Sequence, residues 1–174
     1  MDQDTCPRDR TMEPLESAAA LTFRRFEAGD LDVLESWLED AGLRPSARVR
    51  RDLRIRRLTD DDRIVTRIVD AGGHAVGFFR LDLAPDRSAE LTVFVDGSSR
   101  RRGVGRSIVA QAVAEARERG RVRMVAAVAI ANDPAHSFFS EIGFEQGDTS
   151  VPGFVHYERF LHRSDCTRPL EIRP

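Results

Sequence analysis

Apolar and polar positions change period several times along this chain, and each change marks a predicted element. In LTFRRF, Leu21 and Phe23 alternate with polar neighbours, the two-residue rhythm of a strand. Leu31, Leu34, Leu38 and Ala41 then recur at helical spacing, with Asp30 placed to cap that helix and Gly42 to end it in the left-handed conformation. A less regular second helix is expected over 46–58. Val49 and Leu53 share one of its faces, and Arg48, Arg50, Arg51, Arg54, Arg56 and Arg57 surround them. That basic face reads as solvated, because the DDD at 60–62 interrupts any broad positive patch.

From residue 63 the pattern becomes β-branched and short in period. RIVTRIVD, HAVGFFRLDL and AELTVFVDG predict three adjacent antiparallel strands, turned at Gly72-Gly73 and Pro85-Asp86. Val104, Ile108, Ala112 and Val113 build the apolar face of a long helix that Gly120 ends, and VRMVAAVAI reads as a buried central strand. Asn132 or Asp133 caps a further helix with Pro134 in its first turn and Gly143 at its end, before two closing strands in GFEQGD and FVHYERFL. The order β, α, α, βββ, α, β, α, ββ predicts an α/β protein, a mixed sheet covered by helices without internal repeat. We expect an arm over 1–20, one domain over 21–162 and a tail over 163–174.

Composition narrows this picture. A chain of 174 residues with 41% hydrophobic residues builds one ordinary core. Its charged residues, 32% of the chain, cancel to a net charge of -2, which gives no electrostatic reason to bind nucleic acid or an acidic membrane surface. All 27 basic residues are arginine. Cys6 and Cys166 form neither a CxxC nor a Cys/His cluster, so no metal site is expected. No apolar run approaches the roughly 20 residues of a membrane helix, and the opening MDQDTCPRDR is acidic and polar, so the expected location is cytoplasmic.

The candidate chemistry begins at SSRRRGVG, residues 98–105, between a strand and a helix. The first amides of a helix have no partner within it, and the aligned peptide dipoles add positive potential, so such a turn cradles an anion. Gly103 and Gly105 would let backbone approach phosphate oxygens without a Cβ in the way. A P-loop requires a lysine, which this chain lacks, and a dinucleotide fingerprint requires a third glycine where Ile108 stands. Arg100-x-x-Gly103-x-Gly105 resembles instead the R/Q-x-x-G-x-G/A acyl-CoA motif of the GNAT superfamily of N-acetyltransferases. NDPAHSFFSEIGF, residues 132–144, resembles that family's second signature at Asn132, Ala135, Phe138, Gly143 and Phe144. The resemblance extends over about residues 21–162.

It implies a mixed sheet of six to seven strands with helices on both faces, splayed between its fourth and fifth strands. Acetyl-CoA is the implied cosubstrate, without a metal. Its pantetheine arm would lie along Val93, Phe94 and Val95, and its pyrophosphate against Arg100, Arg101, Arg102, Gly103, Val104, Gly105, Arg106 and Ser107. Asn132 and Phe139 complete the implied contacts. The reaction implied is direct acetyl transfer to a primary amine of a small molecule, peptide or protein. An ammonium of pKa about 10.4 must first lose a proton, and the thioester oxygen needs a donor as its charge grows, here a backbone amide near Val95. Glu90 is the best placed base, ahead of Glu27, Asp82 and Asp96.

Where many relatives place a tyrosine that protonates the departing sulfur, this chain has Phe139. Its one tyrosine, Tyr157, belongs to the final strand, as core or sheet surface, and His136 is expected on an exposed helix face. A free thiol has a pKa of about 8.5, so release as thiolate at neutral pH costs only about 2 kcal/mol. Ser137, Ser140 or water are weaker acids. The second expected function is a non-catalytic acyl-CoA-binding module. An acetylating toxin directed at charged transfer RNA is disfavoured by the near-neutral charge and the missing tyrosine. An exposed closing strand could pair two copies into a homodimer.

Overall fold

The alternation of LTFRRF becomes strand β1 (Leu21–Arg25) in the computed structural model, which describes residues 20–40, 55, 56, 58–147 and 151–161. A short 3-10 turn, Ala28–Asp30, leads directly into α1 (Leu31–Asp40). Three strands follow, β2 (Ile64–Ala71), β3 (His74–Leu83) and β4 (Ser88–Val95), each antiparallel to its predecessor as the sequence predicts. Then come α2 (Val104–Glu118), β5 (Arg123–Ala129), α3 (Asp133–Glu141), the two-residue β6 (Glu145–Gln146) and β7 (Phe154–Phe160). The seven strands form one sheet in the order β1-β2-β3-β4-β5-β7-β6. Of the predicted second helix, Ile55, Arg56, Leu58 and Thr59 are helical, while 46–54 and 57 lie outside the described residues. Gly42, the terminal stretches 1–19 and 162–174, and both cysteines also lie outside them.

Strand parity decides what each face of the sheet meets. Phe79 and Leu81 of β3, Ala89 and Leu91 of β4, and Met124, Ala126 and Val128 of β5 pack with Ile108, Val109, Ala112 and Ala116 of α2 and Phe139 of α3 in the larger core. On the opposite face, Ile68 and Phe78 pack against Phe26 and the Leu31, Leu34 and Trp37 stripe of α1. Helices therefore cover both faces, but unequally. On the second face Ile55 and Leu58 join α1, and among the described residues the surface over β5 stays open, which corrects the reading of β5 as a buried central strand: Val125 is half-buried and Ala127 exposed. Of the two predicted closing strands, β7 is inserted between β5 and β6, and β6 pairs with it only at Tyr157 and Glu158.

Two arginine networks fasten the elements, and sequence periodicity announces neither. Asp30 does not cap α1 as predicted. Its Oδ2 accepts the Glu27 amide at 2.8 Å one turn earlier, and its two oxygens take both terminal nitrogens of Arg24 at 2.7 Å. Arg24 Nε donates to Asp70 of β2, also at 2.7 Å. Burial acts to raise the Asp30 pKa, but the hydrogen bonds from Arg24 and Glu27 and the Arg24 charge outweigh it and hold the carboxyl below its usual range. The second network is more deeply buried. Glu115 of α2, 5% exposed, receives Arg67 of β2 in a fork at 2.9 and 2.8 Å and Arg119 at 3.3 Å. No helix among the described residues is long and apolar enough to cross a membrane.

These networks should differ in weight. Asp30→Asn should lower unfolding free energy by about 1 kcal/mol in urea titrations, because its pair is partly solvated. The stabilisation Asp30 supplies is complete above the ordinary carboxylate pKa and is lost as pH falls through the lower folded value, so wild type and variant should converge in acid. Arg67→Met strands a buried carboxylate and should cost about 3 kcal/mol, read by the same titration.

Candidate functional site

Parallel pairing between β4 and β5 lasts for three residues: Ser88 against Arg123, Ala89 against Met124 and Glu90 against Val125. Past Glu90 the strands part. β4 continues to Val95 bonded only to β3, and β5 continues to Ala129 bonded only to β7. The residues of β4 that lose β5 as a neighbour include Val93, Phe94 and Val95, all half-buried, so an apolar strand edge with no strand paired on that side faces a gap. Such an edge can receive an extended ligand as an added strand. This is where the sequence places the pantetheine arm.

At the far end of that gap stands the mouth of α2. Gly103 precedes the helix at φ +81, a left-handed conformation that a Cβ would strain, although space there is open. No side chain caps the helix, and the first intrahelical amide among the cap residues is that of Ser107, bonded to the Gly103 carbonyl at 3.1 Å. The amides of Val104, Gly105 and Arg106 thus precede the helical ladder and are available to an anion. Val104 itself is buried, so only its backbone can serve a ligand, while Arg101, Arg102, Arg106 and Ser107 are exposed around the turn.

Two members of this loop do work that the motif does not announce. Arg100 folds back, donating from Nε to the Val95 carbonyl at 3.0 Å and resting its guanidinium 5.6 Å from the centre of the Phe94 ring. Gly105 is needed for packing: a Cβ there would stand 3.3 Å from Phe138 of α3 and 3.6 Å from Val95. The missing side chain lets α3 close against the start of α2. Arg106 reaches Glu141 of α3 at 3.7 Å across the same junction, an exposed pair of little energetic weight.

Asn132 caps α3, its side-chain oxygen accepting the Ala135 amide at 3.3 Å, as predicted. Phe139 is 5% exposed, edge-on to Phe138 and Phe144 and stacked on Tyr157 with ring centres 5.9 Å apart. It offers the gap no polar atom. Tyr157 is core, within the predicted alternatives, but His136 is not the exposed surface histidine expected. It is half-buried, with Nδ1 3.1 Å from the Tyr157 hydroxyl and Nε2 3.1 and 3.2 Å from the carbonyls of Ala129 and Ile130. A helix-face pattern could not reveal this, because the three partners come from β7, the end of β5 and the turn after it.

Glu90 lies where the strands part, and its side chain is exposed to a cleft of about 700 Å³ on the open face of the sheet. Asp82 of β3 is its direct cross-strand neighbour and also lines the cleft. Asp61, Arg63, Val125, Ala127, Phe154 and His156 complete much of the wall. His156, Phe154, Asp61 and Arg63 were not singled out in the sequence. Period-two alternation in FVHYERF puts Phe154 and His156 on one face, but only the register of β7 against β5 shows that this face is the uncovered one. The weaker base candidates have other employment. Asp82 is held by Arg80, and Asp96 accepts the hydroxyl and amide of Ser98, which keep its carboxyl below the usual range. Glu27 lies at the entry to α1. Among the described residues no cluster of His, Cys, Asp and Glu is arranged to hold a metal ion.

Comparison with known proteins agrees with this geometry. The acetyltransferase (GNAT) family model matches residues 31–144. Among solved structures, the GNAT domain of PAT from S. lividans is 26% identical, with a TM-score of 0.68 over 80% of this chain and 89% of that one. A chimera of the spermidine N-acetyltransferase SpeG from Vibrio cholerae and hSSAT shares the fold at 18% identity, with a TM-score of 0.69 over 81% of this chain and 95% of that one. So does the PaiA N-acetyltransferase of Thermoplasma acidophilum in complex with coenzyme A, at 19% identity and TM-score 0.63 over 81% and 99%. No curated protein matches the chain by sequence. Both the family match, which takes in the glycine loop and α3, and the parted strands between them lead to one assignment: the chain belongs to the GNAT family of acetyltransferases.

Proposed function

We propose that the gap between β4 and β5 receives the pantetheine arm of acetyl-CoA, that the mouth of α2 receives its pyrophosphate, and that the acetyl group passes to a primary amine bound in the cleft beside Glu90. The observation that carries this reading is the three-residue ladder between β4 and β5, which opens at Glu90 toward the cleft on one side and along Val93–Val95 toward the glycine turn on the other.

In this reading Glu90 takes a proton from the incoming ammonium, directly or through one water, and passes it to solvent. The freed amine attacks the thioester carbonyl. An amide of the unpaired β4 edge donates to the oxygen as its charge grows, the nitrogen gives its second surplus proton to water, and the carbon–sulfur bond breaks to release the amide and coenzyme A as thiolate. Phe139 supplies no proton to that sulfur. With a thiol pKa of about 8.5, thiolate release near neutral pH costs about 2 kcal/mol, which slows the reaction without abolishing it. The burial of Phe139 in the aromatic core also supports a second reading, in which the chain binds acyl-CoA without turnover.

Calorimetry with coenzyme A and a thiol-release assay separate these readings. Glu90→Gln should lower kcat/KM for the amine about 100-fold with coenzyme A affinity unchanged. Unaltered transfer in that variant removes Glu90 from the chemistry, and tight coenzyme A binding without transfer to any amine favours the binding module. Gly103→Val should weaken coenzyme A binding about tenfold by straining the turn that aims the amides. Wild-type affinity in that variant would place the pyrophosphate elsewhere.

A further inference from the structure

The charge balance of the cleft selects among amines. Three carboxylates line it, those of Asp61, Asp82 and Glu90, together with the guanidinium of Arg63. Two of the three are already committed. Asp61 Oδ1 accepts the Arg63 amide at 2.9 Å and lies 3.5 Å from Arg63 Nε, and Asp82 is bound by Arg80, its neighbour on the same face of β3. Glu90 has no side-chain partner among the described residues. Around these groups stand Ile64, Leu83, Val125, Ala127, Val151 and Phe154, an apolar wall interrupted by Ser88 and His156, neither of which is an anion.

An ammonium withdrawn from water requires a counter-charge, and this cleft has one uncommitted. A second ammonium on the same acceptor would have to lie against apolar wall, approach Arg63, or rest on Ser88 or His156, and none of these supplies a counter-charge. An uncharged hydrocarbon or aryl body, by contrast, gains from the same surface. From this we infer that the acceptor is a primary monoamine with an uncharged apolar body, and that diamines and polyamines are poor substrates. The inference rests on the cleft being the acceptor site of the reaction proposed above. Arg63 acts in it as a specificity residue: it neutralises Asp61 and repels a second cation.

The test uses the full chain with saturating acetyl-CoA, comparing initial rates of thiol release with pentylamine, phenylethylamine, cadaverine and spermidine near neutral pH. Pentylamine and cadaverine have the same length and differ by one terminal charge. kcat/KM should be about tenfold higher for pentylamine than for cadaverine, the effect of about 1.4 kcal/mol of differential binding. Arg63→Glu should shrink that ratio at least about threefold by turning a repelling cation into a second counter-charge. Equal or better transfer to cadaverine or spermidine by the wild type overturns the inference while leaving the acetyltransferase reading intact. An unchanged ratio in the Arg63 variant overturns the role of Arg63. If coenzyme A binds but no amine is acetylated, the acceptor-site reading fails and takes this inference with it.

Discussion

The site depends on how briefly β4 and β5 hold together. A parallel ladder that continued past Glu90 would consume the backbone groups of Val93–Val95 and close the sheet, leaving neither a strand edge for an extended ligand nor a cleft on the open face. The ladder stops, and α3 occupies the divergence on the buried face. Phe138 approaches the start of α2 closely enough that a Cβ at 105 would crowd its ring at 3.3 Å, while Phe139 and Phe144 fill the space beneath. The parted strands are therefore braced by packing from one face, and the other face is left to ligands.

That second face is itself divided. Toward the C-terminal end of β4, Phe78 and Phe94 stack with Trp37 of α1 at ring separations of 5.3 to 6.3 Å, and Arg100 covers the Phe94 ring. Each such contact is worth about 1 kcal/mol beyond the area it buries, so the cluster closes this end firmly. It also couples the glycine loop to α1, since Arg100 sits on the ring that α1 packs against. Toward the N-terminal end of β4 no helix among the described residues covers the sheet, and there Asp82 and Glu90 face the cleft.

Much of this was legible in the sequence because local rules govern it. The periods of two and 3.6 gave the strands and the long helices, the Asn132 cap and the glycines at 103, 120 and 143 gave their ends, and the two motifs gave the gap between the fourth and fifth strands. What was not legible depends on register and tertiary contact. Gly77 reads as an ordinary strand residue, yet a Cβ there would stand 2.5 Å from the Phe94 carbonyl and 3.1 Å from Ile108. Glu115 reads as a polar position on an amphipathic helix, yet it is a buried anion fixed by Arg67 from 48 residues away. Asp30 satisfied every local criterion for a helix cap and was drawn away by Arg24, whose fork can hold it together with the Glu27 amide.

The same long-range reasoning bears on the missing acid. Tyr157 is the chain's one tyrosine, stacked on the phenylalanine that replaces the expected one, and it invites assignment as a substitute proton donor. Its hydrogen bond argues otherwise. His136 Nε2 faces two backbone carbonyls, which can only accept, so a ring holding one proton carries it there and accepts the Tyr157 hydroxyl at Nδ1. Tyr157 is 4% exposed, and withdrawing its proton from His136 would leave a buried acceptor unsatisfied at a cost of about 1–3 kcal/mol. Protonating a thiolate of pKa about 8.5 at neutral pH returns only about 2 kcal/mol. The exchange yields no net gain, so the hydroxyl is better employed in joining β7 to α3 and, through His136, to the end of β5.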